Sequence, residues 1–196
     1  MGWDRKDFEE KMRPCVDRIY NERFKNIKSI DRVERDDPKS NDLMLDIKYG
    51  IDTKITFEDG SILTFQEKVR KFRYISFNDF TFEYYNDPDD KIFGEWFYLA
   101  SQLYFYGYAN ENDDDIIYYY IIDVPRFRLF LNDEGSIYNR KWRLEKNAYP
   151  AMANFLPIPF EMIPDDCIIY QEEIPTNKIH RRSKRNFVEM EMMENE

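Results

Sequence analysis

Asp52, Gln66 and Lys68 have the side-chain types that metal-dependent chemistry on a phosphate requires. They lie within the stretch GIDTKITFEDGSILTFQEKVRK, residues 50–71. Carboxylate and amide oxygens are hard ligands of the kind that Mg²⁺ and Mn²⁺ prefer. A lysine ammonium beside them can orient a water molecule and stabilise the charge of a phosphate. If the three side chains meet on one surface, they could support metal-dependent cleavage of a phosphodiester bond.

That chemistry requires Asp52, Gln66 and Lys68 to share one face of a β-hairpin. The turn residues 58–60 end in glycine, which suits the left-handed position of a three-residue loop. In this register Asp52 lies opposite Gln66, and the alternation of side chains turns Lys68 to the same side. A two-residue turn is the alternative, and it would pair Asp52 with Glu67 instead.

The apolar residues of the hairpin favour the three-residue loop. In that register six of them share the face opposite the polar trio: Ile51, Ile55, Phe57, Leu63, Phe65 and Val69. The two-residue turn would divide this set between both faces. Two alternatives stay open, since the polar trio could be a plain solvated strand face, and Asp46 has the same strand parity as Asp52.

The hairpin resembles the core of the PD-(D/E)XK nuclease superfamily, in which an Asp on one strand precedes (D/E/Q)-x-K on the next. This sequence departs from the family pattern at two positions. Ile51 replaces the proline before the aspartate, and Gln66 replaces the commoner acid, which removes one negative charge. The resemblance implies Mg²⁺ or Mn²⁺ held by Asp52 and Gln66, with Glu67 as the compensating third ligand and Lys68 assisting the water. The alternative is a degenerate site, a nuclease fold that binds DNA without cutting it.

A second motif extends the resemblance beyond the hairpin. Gln102-Leu-Tyr-Phe-Tyr106 matches the Q-x-x-x-Y helix motif of the RecB-type and phage-exonuclease-like branch. On a helix this spacing puts Gln102 and Tyr106 on one face, where the motif would point toward the active site and DNA. The resemblance covers about residues 5–123 and implies a restriction-endonuclease-like core. Such small domains suit phage or mobile-element DNA metabolism.

A basic cluster follows the hairpin directly. Arg70, Lys71 and Arg73 are predicted to bind substrate by contacting phosphates beside the metal site. Their alternative role is the protective charge of an edge strand.

The order of the predicted helices and strands that carry these residues indicates an α/β fold with a mixed central sheet flanked by helices. A nuclease-like core is expected over 1–150, followed by a proline-rich wrapping segment and a charged mobile tail over 151–196. Hydrophobic periodicity predicts the following elements: helices at 4–27, 92–109 and 125–131, and strands at 43–57, 61–73, 76–86 and 116–124.

The composition limits the functional classes. The single histidine, His180, argues against Ser-His-Asp and multi-histidine zinc sites. There is no signal-like or membrane-spanning segment, and the two cysteines form no disulfide framework, so we expect a cytoplasmic protein without membrane contact.

The net charge of −10 favours an alternative function, a small acidic inhibitor or DNA mimic that binds a protein partner. Homo-oligomerisation is left open.

Overall fold

Three layers stack in the computed structural model, which describes residues 3–33, 49–133, 144–146 and 153–172. A six-stranded sheet forms the middle layer, the helix α1 (Trp3–Arg23) covers one of its faces, and a four-stranded sheet covers the other. Two shorter α-helices lie within the described ranges, α2 (Glu95–Tyr98) and α3 (Val124–Asp133). None of the helices within these ranges is long and apolar enough to cross a bilayer.

The six-stranded sheet is mixed, as predicted. Its strand order is β1-β2-β3-β6-β7-β10, and β3 and β6 form its parallel pair while the other neighbours are antiparallel. These strands are β1 (Ile27–Arg32), β2 (Thr53–Phe57), β3 (Ile62–Arg70), β6 (Leu103–Ala109), β7 (Ile116–Asp123) and β10 (Ile168–Glu172). The predicted α/β class is confirmed.

The four-stranded sheet is wholly antiparallel, in the order β5-β4-β9-β8. It consists of β4 (Asp79–Asp87), β5 (Ile92–Phe93), β8 (Glu145–Lys146) and β9 (Asn154–Pro159). The strand predicted at 76–86 therefore exists, but it belongs to this second sheet. The second sheet and α3 together occupy the face where the sequence predicted flanking helices alone.

One hydrophobic core lies between α1 and the first sheet. One face of α1 is apolar and is buried there, and Pro14 does not interrupt the helix. The helix contributes Phe8, Met12, Val16, Ile19 and Tyr20, and the sheet contributes Ile55, Phe65, Leu103, Phe105, Ala109, Ile116, Tyr119 and Ile121. The face of the hairpin predicted to be apolar is thus the face that α1 covers.

A second core, rich in aromatic rings, lies between the two sheets. Tyr104, Tyr106 and Tyr108 of β6 point into it and meet Phe80 and the other buried residues of β4. The ring of Phe80 lies 4.9 Å from that of Tyr104 and 5.2 Å from that of Tyr106, in edge-to-face geometry. Burial of so many large rings is a major source of stabilisation.

The helix predicted over 92–109 is wrong. Only α2, four residues long, is helical, and residues 103–109 form the central strand β6. Every residue of β6 is buried, because α1 covers one face and the second sheet covers the other. A strand buried on both faces shows no alternation of polar and apolar residues, so its pattern does not distinguish it from a buried helix. The density of Tyr and Phe was the signal that favoured a strand.

Other sequence predictions fall partly outside the described residues. The strand at 116–124 and the helix at 125–131 are confirmed as β7 and α3. Residues 43–48 of the first predicted strand lie outside the described residues, as does the predicted tail after residue 172. Within 153–172, the segment predicted to wrap the core supplies β9 and β10, so it contributes a strand to each sheet.

We predict that Phe65→Ala lowers the free energy of unfolding by about 3–5 kcal/mol, because Phe65 is fully buried under α1. Urea denaturation followed by tryptophan fluorescence measures the change. Leu63→Ala is the matched control, since Leu63 occupies the same face of β3 but is only half-buried. A loss as large in the control would contradict the position of the core.

Candidate functional site

The hairpin between β2 and β3 has the predicted three-residue turn. Gly60 adopts a left-handed conformation with φ of +83°, and its N–H donates to the carbonyl of Phe57 at 3.0 Å. Phe57 in turn donates its N–H to the carbonyl of Ser61 at 2.9 Å. Thr53 lies opposite Phe65 along the ladder, which is the register that the apolar pattern favoured. That register is confirmed.

Asp52 is held at the point where the regular ladder of β2 ends. Its N–H donates to the carbonyl of Phe65, and its carbonyl accepts the N–H of Val33, both at 2.8 Å. Its carboxylate accepts the N–H of Glu67 at 2.9 Å, in the place of a strand partner. The side chain is thereby fixed against the backbone of β3 beside Gln66 and Lys68.

Gln66 and Lys68 point from β3 toward the second sheet. Gln66 is 8% exposed, and its Oε1 has no hydrogen-bond partner among the described residues. A Cβ added at Gly50 would lie 3.3 Å from this oxygen, so Gly50 leaves space that a side chain would fill. Lys68 donates from Nζ to the carbonyl of Thr81 at 3.1 Å. The predicted polar trio therefore lies together near the end of the β2–β3 ladder.

Glu67 does not belong to this group, because its carboxylate lies on the opposite face of β3. There it accepts a hydrogen bond from the Tyr20 hydroxyl at 2.8 Å and forms an ion pair with Arg32, which also contacts Asp17. Burial raises the pKa of Tyr20 well above its ordinary value, and the negative charge of Glu67 raises it further. The structure thus separates Glu67 from the Gln66 oxygen beside which it was predicted to bind a metal.

Gln102 and Tyr106 do not form the predicted helical pair. Gln102 precedes β6, is exposed, and accepts the N–H of Thr64 at 3.0 Å. Tyr106 is buried within β6, and its hydroxyl lies 2.8 Å from the hydroxyl of Thr81 and accepts a bond from Arg70 at 3.2 Å. The motif fails because its spacing falls on a strand and the turn before it.

The basic residues after the hairpin do not gather around Asp52. Arg70 is half-buried, forms an ion pair with Asp79 at 2.6 Å, and stacks on the ring of Tyr74. Lys71 lies 3.9 Å from a carboxylate oxygen of Asp113. Arg73 is exposed, and its guanidinium also lies over the Tyr74 ring. Arg70 is therefore part of the core between the sheets, and its role as a phosphate contact is not supported.

Two residues that the sequence analysis did not select lie near the polar trio. Tyr104 pairs with Gln66 across the parallel β3–β6 ladder. Burial raises the pKa of Tyr104 well above its ordinary value, the carboxylate of Glu95 raises it further, and Asp52 adds a smaller effect in the same direction. Glu95 was hidden within the predicted helix over 92–109, although Gly94 before it was a signal that the helical pattern is broken there.

No group of three or more His, Cys, Asp or Glu side chains converges on a common point in the part of the chain described. Comparisons with protein-family models, with curated proteins and with solved structures find no match for this chain. The function must therefore be argued from the geometry of the site itself.

We predict that Glu67→Gln lowers the free energy of unfolding by about 1.5–3 kcal/mol, because it removes the charge that Arg32 and Tyr20 contact in a half-buried site. Chemical denaturation measures the loss. Glu58→Gln, at the exposed hairpin turn, is the control and should change stability by less than about 0.5 kcal/mol. Equal effects would contradict the pairing under α1.

The buried Tyr106 hydroxyl predicts a loss of stability at alkaline pH. Burial raises its pKa from 10.0 to about 12, so the folded protein retains the phenol proton to a higher pH than the unfolded chain does. Its contribution is complete below pH 10 and is lost as the pH rises through 12. Tyr106→Phe should reduce the dependence of unfolding free energy on pH in this window by up to about 1.4 kcal/mol per pH unit.

The measurement is urea denaturation at several pH values between 10 and 12. Thr81→Val is the matched control, because it removes the hydroxyl that Tyr106 contacts but no titrating group. It should lower stability, and because the Thr81 hydroxyl lowers the pKa of Tyr106, the pH dependence should stay at least as steep as in the wild type. A shallower dependence in Thr81→Val than in Tyr106→Phe would count against this role of Tyr106.

Proposed function

We propose that this protein is a metal-dependent nuclease that acts on DNA, with a restriction-endonuclease-like core. The observation that carries the proposal is the shared position of Asp52, Gln66 and Lys68 on one face of the β2–β3 junction. These are the three positions that match the family motif, and the confirmed hairpin register is the one that the motif requires. The order of α1 before the hairpin also supports the proposal.

The side chains at this junction fit a magnesium or manganese ion. Asp52 supplies a carboxylate that the N–H of Glu67 holds in place. Gln66 supplies an amide oxygen that is buried without a hydrogen-bond partner among the described residues, and a cation would satisfy it. When bound, the metal would supply Lewis acidity toward the phosphate and lower the pKa of a water molecule. Asp52 and Gln66 are the residues that would hold it.

Lys68 has the position and the donors to contact a phosphate next to that ion. Its ammonium carries three N–H donors, so its bond to the Thr81 carbonyl is compatible with further acceptors. In the proposed hydrolysis, the oxygen of water forms a bond to phosphorus while one ester P–O bond breaks, and the leaving oxygen gains a proton. Lys68 would stabilise the charge that develops on the phosphate oxygens.

We predict that Lys68→Ala lowers the rate of Mg²⁺-dependent DNA cleavage by about 100-fold or more, which is typical for the loss of one charge-stabilising donor. Labelled single-stranded and double-stranded DNA are the substrates, with Mg²⁺, Mn²⁺ or EDTA. Lys28→Ala is the matched control, because Lys28 is an exposed lysine on β1. The control should cleave at the wild-type rate.

The other outcomes of this assay distinguish the alternatives. Equal cleavage by wild type and Lys68→Ala would indicate a contaminating nuclease and contradict the proposal. No cleavage with either metal would favour a degenerate nuclease fold or an acidic protein-binding module. One observation favours a protein-binding module: Phe93 and Phe97 are 44% and 38% exposed, and their tilted rings lie 4.3 Å apart at the edge of the second sheet.

A further inference from the structure

We propose that Glu95 is the second carboxylate of the site and binds a divalent cation together with Asp52 and Gln66. This inference rests on the proposed function, and it assigns a ligand that the sequence motif does not contain. The motif in this chain lacks one negative charge, because Gln66 stands where an acid is more common. Glu95 would supply that charge to the cation.

The start of α2 fixes the position of Glu95. Gly94 donates its N–H to the carbonyl of Tyr84 at 2.8 Å, and a Cβ at Gly94 would lie 2.5 Å from the carbonyl oxygen of Glu83. Only glycine lets the backbone come this close to β4, so the backbone just before Glu95 packs directly on that strand. The N–H of Leu99 then donates to the carbonyl of Glu95 at 2.9 Å and closes the turn.

The end of α2 is joined to the bend that carries Asp52. Ala100 donates its N–H to the carbonyl of Tyr49 at 2.7 Å. The neighbouring Gly50 has a left-handed φ of +54°, and a Cβ there would lie 3.3 Å from Cα of Leu99 and from Oε1 of Gln66. Gly50 is thus enclosed between α2 and the Gln66 side chain, which brings both elements to the start of the Asp52 bend.

Tyr104 connects the three proposed ligands. It is the ladder partner of Gln66, and both its hydroxyl oxygen and the Oε1 atom of Glu95 are buried. Because Gly50 lies against both Leu99 and the Gln66 oxygen, Glu95 on α2 and Asp52 on the bend approach the same region of the core. Two carboxylates in a region of low polarity repel each other, and a divalent cation between them would offset that repulsion.

The Gln66 oxygen indicates that the region is built for a ligand. The side chain is more than nine-tenths buried, and within the described structure its Oε1 accepts no hydrogen bond. A buried amide oxygen is an acceptor only, so a proton donor or a cation must satisfy it. The carboxylates nearby favour the cation, since they attract positive charge to this point.

Binding of Mn²⁺ alone tests the inference, without DNA and without cleavage. The electron paramagnetic resonance signal of free Mn²⁺ decreases on binding and gives the Kd and the stoichiometry. Asp52→Asn and Glu95→Gln should each weaken binding by at least about tenfold, as the loss of a charged ligand does. Glu161→Gln is the matched control, an exposed acid in a short helical turn after β9, and should leave the Kd unchanged.

The outcomes separate this inference from the proposed function. If Asp52→Asn weakens Mn²⁺ binding while Glu95→Gln does not, Glu95 is not a ligand and the metal site of the proposed function stands. If Glu83→Gln causes the loss instead, the second carboxylate comes from β4 and the inference is overturned. If the wild type binds no Mn²⁺, both fail, and a water molecule then satisfies Gln66.

A folding control keeps the test decisive. Circular dichroism and thermal unfolding should show that Glu95→Gln is folded before its Kd is interpreted. If it does not fold, Glu95→Asp replaces it, because this variant keeps the charge and shortens the reach by one methylene. A rise of about threefold or more in the Kd of Glu95→Asp supports the inference, and an unchanged Kd overturns it.

Discussion

The parallel pairing of β3 with β6 is the constraint on which the rest of the structure depends. Through it the β1–β2–β3 meander joins the strands that fill the middle of the molecule. Because β6 is covered on both faces, β3 is held beside a rigid and wholly buried neighbour. Side chains alternate along β3, so one set faces α1 and the other faces the second sheet. The positions of Gln66 and Lys68 in the candidate site follow from that alternation.

The alternation places neighbouring residues of β3 on opposite faces of the sheet, where they make different contacts. On the α1 side, Glu67 forms an ion pair with Arg32 and accepts a bond from Tyr20, which contributes to stability. On the other side, Gln66 and Lys68 lie beside Asp52, where the proposed chemistry takes place. Further along the same face, Arg70 pairs with Asp79 and is tied into the aromatic core. Neighbouring polar residues of β3 are thus divided between the packing under α1 and the proposed site.

Sequence reasoning was most successful where local rules decide the structure. The hairpin register could be predicted because the conformation of Gly60 selects the turn, and the apolar pattern then selects one face. The helix α1 could also be predicted, since only one of its faces is buried and its apolar residues recur with helical spacing. For these elements, a local pattern and the tertiary environment agree.

It was least successful where burial on both sides removes the pattern. β6 was predicted as a helix because a strand between α1 and the second sheet needs no polar positions. Because of that error, Glu95 was not selected as a site residue. Gln102 and Tyr106 were assigned to one face of a helix, although Tyr106 lies on β6 and Gln102 precedes it. The second sheet was also missed, because the pairing of β4 with β9 joins segments that are far apart in the chain. No local signal reports such a contact.

The positions of β9 and β10 have a consequence for synthesis on the ribosome. The backbone hydrogen bonds of α1 and of the β2–β3 hairpin join residues close in sequence, whereas β9 and β10 pair back onto β4 and β7. A nascent chain that ends before residue 154 therefore presents two strands with unpaired edges and a row of uncovered aromatic rings. The two sheets gain these last described strands only when the segment leaves the ribosomal tunnel. Until then the unpaired edges and exposed rings favour aggregation.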